Sequence, residues 1–265
     1  MTNQDRYEVA EAAVRRAGNL AAQYASRLAD LDVRRKGMQD VVTEADVEVE
    51  LLLKRTLAEA FPQDAFLGEE TGAADLEGAE GVWVVDPIDG TQPFVSGMPS
   101  WCVSLAYVHR GELDFGLVFS PPAGEVFAGG RGRPATLNGR PISLQPGRAV
   151  SDGVVGVGYS PRITVDDILP VFDRLLRRGG MYFRNGSGAL MLCDVACGRL
   201  LGYVEPHINA WDCLGGIAVV RAAGGRTNDY LGPETALLRG NRIVAGPPAI
   251  YDELDEILGL PVTNM

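Results

Sequence analysis

The chain is short of the residues that most often announce chemistry. Its 265 residues include two histidines and four cysteines. The cysteines (Cys102, Cys193, Cys197 and Cys213) lack the paired spacing of a zinc site and show no disulfide pattern. Cys193 and Cys197 stand four apart in a helical-looking stretch, which predicts one buried face and a structural role. His109 precedes an Arg–Gly pair and reads as a hairpin residue, and His207 as an exposed or core-edge one. Long apolar runs are missing too. None approaches the ~20 residues that span a bilayer, and the N-terminal MTNQDRYEVAEAAVRRAG has no secretory apolar region. A cytoplasmic location and no membrane partner are the expectation. Positive charge is scarce, with 24 Lys and Arg against 35 Asp and Glu and a formal charge of −11. That balance argues against broad binding to nucleic acid, and it sits awkwardly with any anionic ligand unless bound metal inverts the local field.

What is present is a mixed pattern of elements. The length suits one large domain or two intimately packed halves. Residues 5–30 carry Ala, Val and Leu at helical spacing, followed by a break at Lys36–Gly37. Thr43, with Asp46 three residues later, predicts the start of a helix over 44–60, with Pro62 just beyond its end. Residues 64–68 read as a short strand running into Glu69–Glu70, and 72–81 as an exposed loop. From 101 to 145 the signals are β, with hairpin turns at Arg110–Gly111 and Asn138–Gly139. A connection over 147–153 leads to a buried strand at VVGVGYS and a helix near 164–178. Two further helices follow the glycine-rich turns of GSGALMLCDVACG and AWDCLGGIAVVRAAGG. The pattern is α/β (α+β) rather than a bundle or a sandwich of sheets alone.

The most informative stretch is WVVDPIDGT at 83–91. Trp83, Val84 and Val85 read as a strand that Pro87 and Gly90 terminate, so Asp86 and Asp89 leave the sheet where it meets a cleft. Two acids on such a turn can converge on a hard cation such as Mg²⁺, which takes carboxylate and carbonyl oxygens. Four more segments accompany it: DVVTEAD at 40–46, GEE at 68–70, NGSG at 185–188 and EPHINAWD at 205–212.

In this order and spacing the five segments resemble the inositol monophosphatase family, over Lys36 to Gly225. The resemblance implies a five-layered α-β-α-β-α sandwich, shared with fructose-1,6-bisphosphatase-like proteins. It implies an N-terminal part (1–147) holding most metal ligands and a C-terminal part (148–265) supplying Glu205 and Asp212. Two or three Mg²⁺ ions per site, lithium sensitivity and a homodimer belong to the same expectation. Residue by residue, it makes Glu69, Asp86, the Ile88 carbonyl, Asp89 and Asp212 metal ligands. Thr91 and Asp46, with Glu69, become the group that orients and deprotonates the attacking water. Gly90, Thr91, Gly186, Ser187 and Gly188 are assigned to the phosphate and substrate pocket, and Glu205 to a substrate hydroxyl. Helix starts after Thr91, after Gly186 and at Asp212 could all aim their positive ends at one anion. Asp212 could equally be a helix cap. Trp211 reads as a core anchor for Asp212, and Ser160 as a turn hydroxyl.

One departure stands out: the family often reads DGTxNF, and this chain has DGTQPF, with Pro93 in place of the asparagine. Proline is tolerated in a first helical turn, so the metal ligands are untouched and the hydrogen bonding beside the phosphate is what changes. A haloacid-dehalogenase-type phosphatase is set aside because its two acids stand two apart, whereas Asp86 and Asp89 stand three apart. The expected activity is hydrolysis of a small phosphorylated polyol or sugar such as inositol 1-phosphate. Histidinol phosphate, fructose 1,6-bisphosphate or a nucleotide 3′-phosphate are the alternatives within the superfamily. A phosphatase-fold protein with a regulatory binding role, in association with RNA or transcription, is the alternative of a different class.

Overall fold

The computed structural model describes residues 3–28, 33–37 and 40–259. Helices α1 (Asn3–Ala25) and α2 (Glu44–Ala60) form the outermost layer, and between them in sequence lies a hairpin of β1 (Val33–Gly37) and β2 (Asp40–Thr43). The break expected at Lys36–Gly37 is therefore the end of a strand. The reason it was not legible is that a five-residue strand reading VRRKG offers no apolar alternation.

The second layer is an eight-stranded sheet. Its strands are β3 (Ala65–Gly68), β4 (Gly72–Ala74), β5 (Gly81–Asp89), β6 (Cys102–His109), β7 (Glu112–Ser120), β8 (Glu125–Gly130), β9 (Arg133–Leu137) and β10 (Arg140–Pro141). They lie in the order β10-β9-β8-β7-β6-β5-β3-β4, antiparallel except for the β3–β5 pair. The expected hairpins are present, and both Arg110 (φ 51°) and Asn138 (φ 50°) adopt the left-handed conformation that such tight turns need. The expected loop at 72–81 is corrected at its start, where Gly72–Ala74 pairs with Phe66–Gly68 as an edge strand of small residues.

Alternation in β5 and β6 divides the core. Trp83 and Val85, with Leu105 and Tyr107, face the α1–α2 layer, while Val82, Val84, Ala106 and Val108 face the other way. Outside Trp83 the Arg6 guanidinium lies over the rings of Phe61 and Tyr107 and bonds both oxygens of Asp64, at 2.7 and 2.8 Å.

The third layer is the helix pair α5 (Gly188–Ala196) and α6 (Ala210–Ala222), preceded in sequence by α3 (Thr91–Val95) and α4 (Val165–Arg177). Beyond it lies a five-stranded sheet in the order β12-β11-β13-β15-β14, made from β11 (Val154–Val157), β12 (Met181–Phe183), β13 (Gly202–Ile208), β14 (Arg226–Thr227) and β15 (Asn241–Gly246). Helices α4 and α8 (Tyr251–Leu258) close the outer face, packing Val171, Leu175 and Leu254 on Val155, Val204 and Val244. A short α7 (Ala236–Arg239) precedes β15. The succession of helices, sheet, helices, sheet and helices is the five-layered sandwich. Among the described residues no helix is long and apolar enough to cross a membrane.

Helix α6 sits unusually close to the large sheet because glycines meet there. A methyl group added at Gly116 would run into the Gly215 carbonyl oxygen and lie 2.8 Å from the Gly215 Cα, and one at Gly129 would lie 2.9 Å from the Cα of Val219. This contact fixes the height of α6, and with it Asp212 in its first turn, above the strands that carry the other acids. Gly116→Ala is expected to destabilise the fold by about 1–3 kcal/mol, the usual cost of overpacking, read as a lower urea midpoint. An unchanged midpoint would mean that α6 can ride outward freely.

Candidate metal centre and active site

Three carboxylates converge at the seam between the sheets. One oxygen from each of Glu69, Asp86 and Asp212 lies within 4.8 Å of the others. Glu69 follows β3, Asp86 lies within β5, and Asp212 sits in the first turn of α6.

The bulge in β5 explains how acids three apart can share a pocket. Successive strand residues alternate faces, so an odd spacing should divide them. Here Asp86 pairs with Ser104 and Asp89 with Cys102, so three steps on β5 match two on β6. The extra residue restores a common face. Asp86 Oδ1 accepts the backbone N–H of Ile88 at 2.9 Å, which fixes the turn.

Asp89 reaches across to the third layer. Its Oδ2 accepts Ser187 Oγ at 2.6 Å and the Ala189 N–H at 2.7 Å, and its Oδ1 accepts the Gly188 N–H at 3.3 Å. The first turn of α5 is thus occupied by a side chain of the protein itself. At α6, Asp212 Oδ2 accepts the N–H of the capping residue Asn209 at 3.3 Å, a bond made before the helix rather than on its first-turn amides. Of the three helix starts expected to aim at one anion, α5 turns its first amides to Asp89. Ser187 and Gly188 act in this structure as donors to Asp89.

Asp46 and Thr91 are neighbours. Asp46 Oδ2 accepts both the N–H and the hydroxyl of Thr43, at 2.8 and 2.7 Å, which is the expected helix start. Its Oδ1 is left to the Thr91 hydroxyl at 3.4 Å, a hydroxyl that also lies 3.2 Å from the Ile88 carbonyl. Gly90 caps α3 in a left-handed conformation (φ 97°), where any Cβ would lie 2.8 Å from the Ser100 carbonyl. Glycine is required there on both counts.

Pro93 occupies the third position of α3 and is buried. Its ring packs against the left-handed turn at Gly186 (φ 93°), where a Cβ would meet Pro93 Cγ at 2.8 Å. The loop carrying Gly186 is held besides by Ser100 Oγ, which donates to the Asn185 carbonyl at 2.9 Å, and by the Ser187 N–H on Asn185 Oδ1 at 2.8 Å.

Glu205 lies in β13, almost wholly buried. The hydroxyl of Tyr203, two residues earlier and therefore on the same face, donates to its Oε2. Gly158 leaves the room that this carboxyl fills. His207 turns away, with Nε2 2.7 Å from the Arg239 carbonyl. Trp211 packs against the core and accepts Ser104 Oγ on its backbone carbonyl at 3.2 Å. Ser160 Oγ lies 3.5 Å from the His207 carbonyl.

Burial and mutual repulsion dominate the electrostatics. Burial, then the charges of Glu69, Asp89 and Asp212, pushes Asp86 well above the ordinary carboxylate range. Burial and the Asp212 charge raise Asp89 to about 7, against the bonds from Ser187, Ala189 and Gly188. Asp212 is raised by burial, Asp46 to about 6 by burial, and Glu205 to about 8 by burial against its bond from Tyr203. Asp86, Asp212 and Glu69 bring carboxylate oxygens within 4.8 Å of one another, a crowding that favours retention of a proton. An all-oxygen donor set that retains a proton only to relieve repulsion fits a hard dication.

Four residues of this neighbourhood escaped the sequence reading. Glu50, Tyr203 and Asn209 had helical, strand or capping spacings that could have flagged them. Cys102, whose Sγ lies 3.8 Å from Asp89 Oδ2 and 3.6 Å from Ser187 Oγ, offered no such signal. Of the paired cysteines, Cys193 is buried and Cys197 only half so, and all four thiols are free.

The inositol monophosphatase family model matches residues 2–258. The chain belongs to the inositol monophosphatase family. Among its relatives, the Nus factor SuhB of Xylella fastidiosa is 36% identical over 254 residues, covering 93% of this chain and 91% of that one. The Nus factor SuhB of Escherichia coli is 32% identical over 260 residues, covering 94% and 97%. Among solved structures, the inositol monophosphatase of Anabaena superposes with a TM-score of 0.83 at 30% identity, covering 99% of each chain. The extragenic suppressor protein suhB of Bartonella henselae gives 0.89 at 29%, covering 97% and 100%.

The raised carboxylates set a pH dependence. A carboxyl whose folded pKa exceeds its unfolded value of about 4 leaves the native state holding extra protons between those two values. Stability then falls as pH rises through that window. In EDTA, the melting temperature is expected to drop between about pH 5 and pH 8, where Asp46, Asp89 and Glu205 lose their protons. Added Mg²⁺ should flatten the decline by binding the ionised form. A melting temperature that rises with pH in EDTA would contradict the cluster's repulsion.

Proposed function

We propose that this chain is a Mg²⁺-dependent phosphomonoesterase acting on a small phosphorylated polyol or sugar, with inositol 1-phosphate as the reference substrate. The observation that carries the reading is the convergence of Glu69, Asp86 and Asp212 beside the Thr91–Asp46 pair. Glu69, Asp86, Asp212, the Ile88 carbonyl and one oxygen of Asp89 would hold the cations. Asp89 Oδ1 is the ligand atom of choice, since its single bond is the longest that Asp89 accepts from nitrogen. When bound, Mg²⁺ supplies charge stabilisation to the phosphoryl group and activation of the attacking water.

The protein's own part is proton handling and orientation. Thr91 stands between the cluster and Asp46, so its hydroxyl can take a proton from the water while giving its own to Asp46 Oδ1. Asp46, held near 6 by burial, is mostly ionised at neutral pH and still basic enough to receive it. Glu205, held near 8, is mostly protonated at neutral pH. Tyr203 occupies one of its oxygens, and the rest of the carboxyl can bond a substrate hydroxyl. That supports a polyol over histidinol phosphate or a nucleotide. The apolar side chains exposed on the edge strand β12 and on α4 (Met181, Tyr182, Leu169 and Leu176) support the expected homodimer.

A second reading has one observation in its favour: the curated relatives carry the name Nus factor SuhB. On that basis the chain would serve as a regulatory binding protein that keeps the phosphatase fold. Phosphate release from a panel of polyol, sugar, nucleotide and histidinol phosphates separates the two. Mg²⁺-dependent, lithium-inhibited turnover, abolished by EDTA, is expected. Silence across the panel despite measurable Mg²⁺ binding would favour the regulator. Asp89→Asn should reduce kcat on the order of a hundredfold or more with the fold intact by circular dichroism. Glu205→Gln should raise KM for the preferred polyol about tenfold, the worth of one hydrogen bond. A collapse of kcat on every substrate, with weakened Mg²⁺ binding, would instead put Glu205 among the cation-binding groups.

A further inference from the structure

Helix α2 carries a second buried acid that the site described above does not use. Glu50 is four residues after Asp46, one helical turn along the same face. It is fully buried. Its two carboxylate oxygens are divided between two consecutive backbone amides: the Glu70 N–H on Oε2 at 2.8 Å and the Thr71 N–H on Oε1 at 2.6 Å. Those amides belong to the turn that follows β3 and begins with Glu69. On the other side the carboxylate fills the space above Gly68, where a side chain would collide with it. The Glu69 N–H donates to the Val85 carbonyl at 3.2 Å beside Asp86, and Lys54 Nζ donates to the Thr71 hydroxyl at 3.2 Å.

A buried carboxylate is costly and persists only when its oxygens are satisfied. Nothing in the packing of α2 demands an acid at 50, since Val49, Leu53 and Leu57 supply the apolar contacts. The turn does demand one, because two adjacent N–H groups point inward there and need paired acceptors. Glu69 is thus clamped from both sides: its own N–H by β5, and the two amides that follow by Glu50.

We propose that Glu50 is a positioning residue for the metal centre, setting the place of the Glu69 carboxylate by holding the backbone of the turn that bears it. The inference rests on the assignment of Glu69 as a cation ligand. In consequence one face of α2 serves both sides of the site, Asp46 toward Thr91 and Glu50 toward Glu69. A rotation or slide of that helix would disturb proton transfer and cation binding together.

The test is Mg²⁺ binding alone, by calorimetry on EDTA-stripped, dialysed protein, alongside kcat as a function of Mg²⁺. Glu50→Gln keeps the volume but presents an N–H₂ to one of the two amides, and Glu50→Asp keeps the charge but shortens the reach. Both are expected to weaken Mg²⁺ binding about tenfold or more, as loss of a group that orients a ligand does. Both should recover kcat at high Mg²⁺ with substrate KM unchanged. Gly68→Ala pushes on the same carboxylate from the opposite side and should do the same. The Gly68→Ala/Glu50→Gln double variant should be no weaker in Mg²⁺ binding than the weaker single one, because both break one contact. Wild-type Mg²⁺ affinity in Glu50→Asp or Gly68→Ala overturns the proposal, even if Glu50→Gln fails to fold. Loss of binding in Asp86→Asn with none in the Glu50 variants overturns it while leaving the metal centre standing. A wild-type protein that binds no Mg²⁺ overturns both.

Discussion

Carboxylates that repel one another are kept in a single buried pocket, and much of the fold is arranged to keep them there. The protein has a simple way to silence a buried acid, and it uses it elsewhere: Asp64 is paired with Arg6. In the pocket, neutral donors hold several of the acids. Ile88 N–H holds Asp86, the first turn of α5 holds Asp89, Thr43 holds Asp46, and Asn209 N–H holds Asp212. Neutral donors fix direction without cancelling charge. These donors aim Asp86, Asp89, Asp46 and Asp212 while leaving their charge available to a dication.

The same donors join the layers. Asp89 leaves the large sheet and ends on α5, and Asp212 begins α6, so the site is stitched across a seam whose spacing the Gly116–Gly215 contact sets. Substrate chemistry and core packing are in this sense one problem. A shift of α6 by a methyl group's thickness would carry Asp212 away from Asp86 and Glu69.

Much of this was legible beforehand because it is local. Thr43 with Asp46 and the glycine hairpins write their geometry into neighbouring residues, and the structure follows them. The strand expected to end at Pro87 instead runs on to Asp89 through a bulge, so both acids leave from within the sheet. The hairpin β1–β2 and the edge strand β4 were not legible, since strands of three to five small or charged residues carry no periodicity. Asp212 had two rival readings, cap and cluster member, and the structure gives it both positions at once. Tyr203 and Glu50 lay at strand and helix spacings from acids already singled out. What made them matter, a carboxyl to receive a hydroxyl and a turn to receive a carboxylate, exists only once distant segments meet. The crossing of Asp89 to α5 is of the same kind, and it shows Ser187 and Gly188 as donors to that acid.

Pro93 and Gly186 show how far such a meeting can bind a sequence. The proline ring occupies the space that a side chain at 186 would need, and the left-handed turn at 186 is what gives the ring its seat. The two positions are distant in the chain and carry no charge, yet a side chain at 186 would be opposed twice, by the proline ring and by the left-handed backbone. A chimera that borrowed the NGSG loop in a bulkier form would collide with the proline. A larger residue at 186 would therefore need both a smaller neighbour at 93 and a different turn.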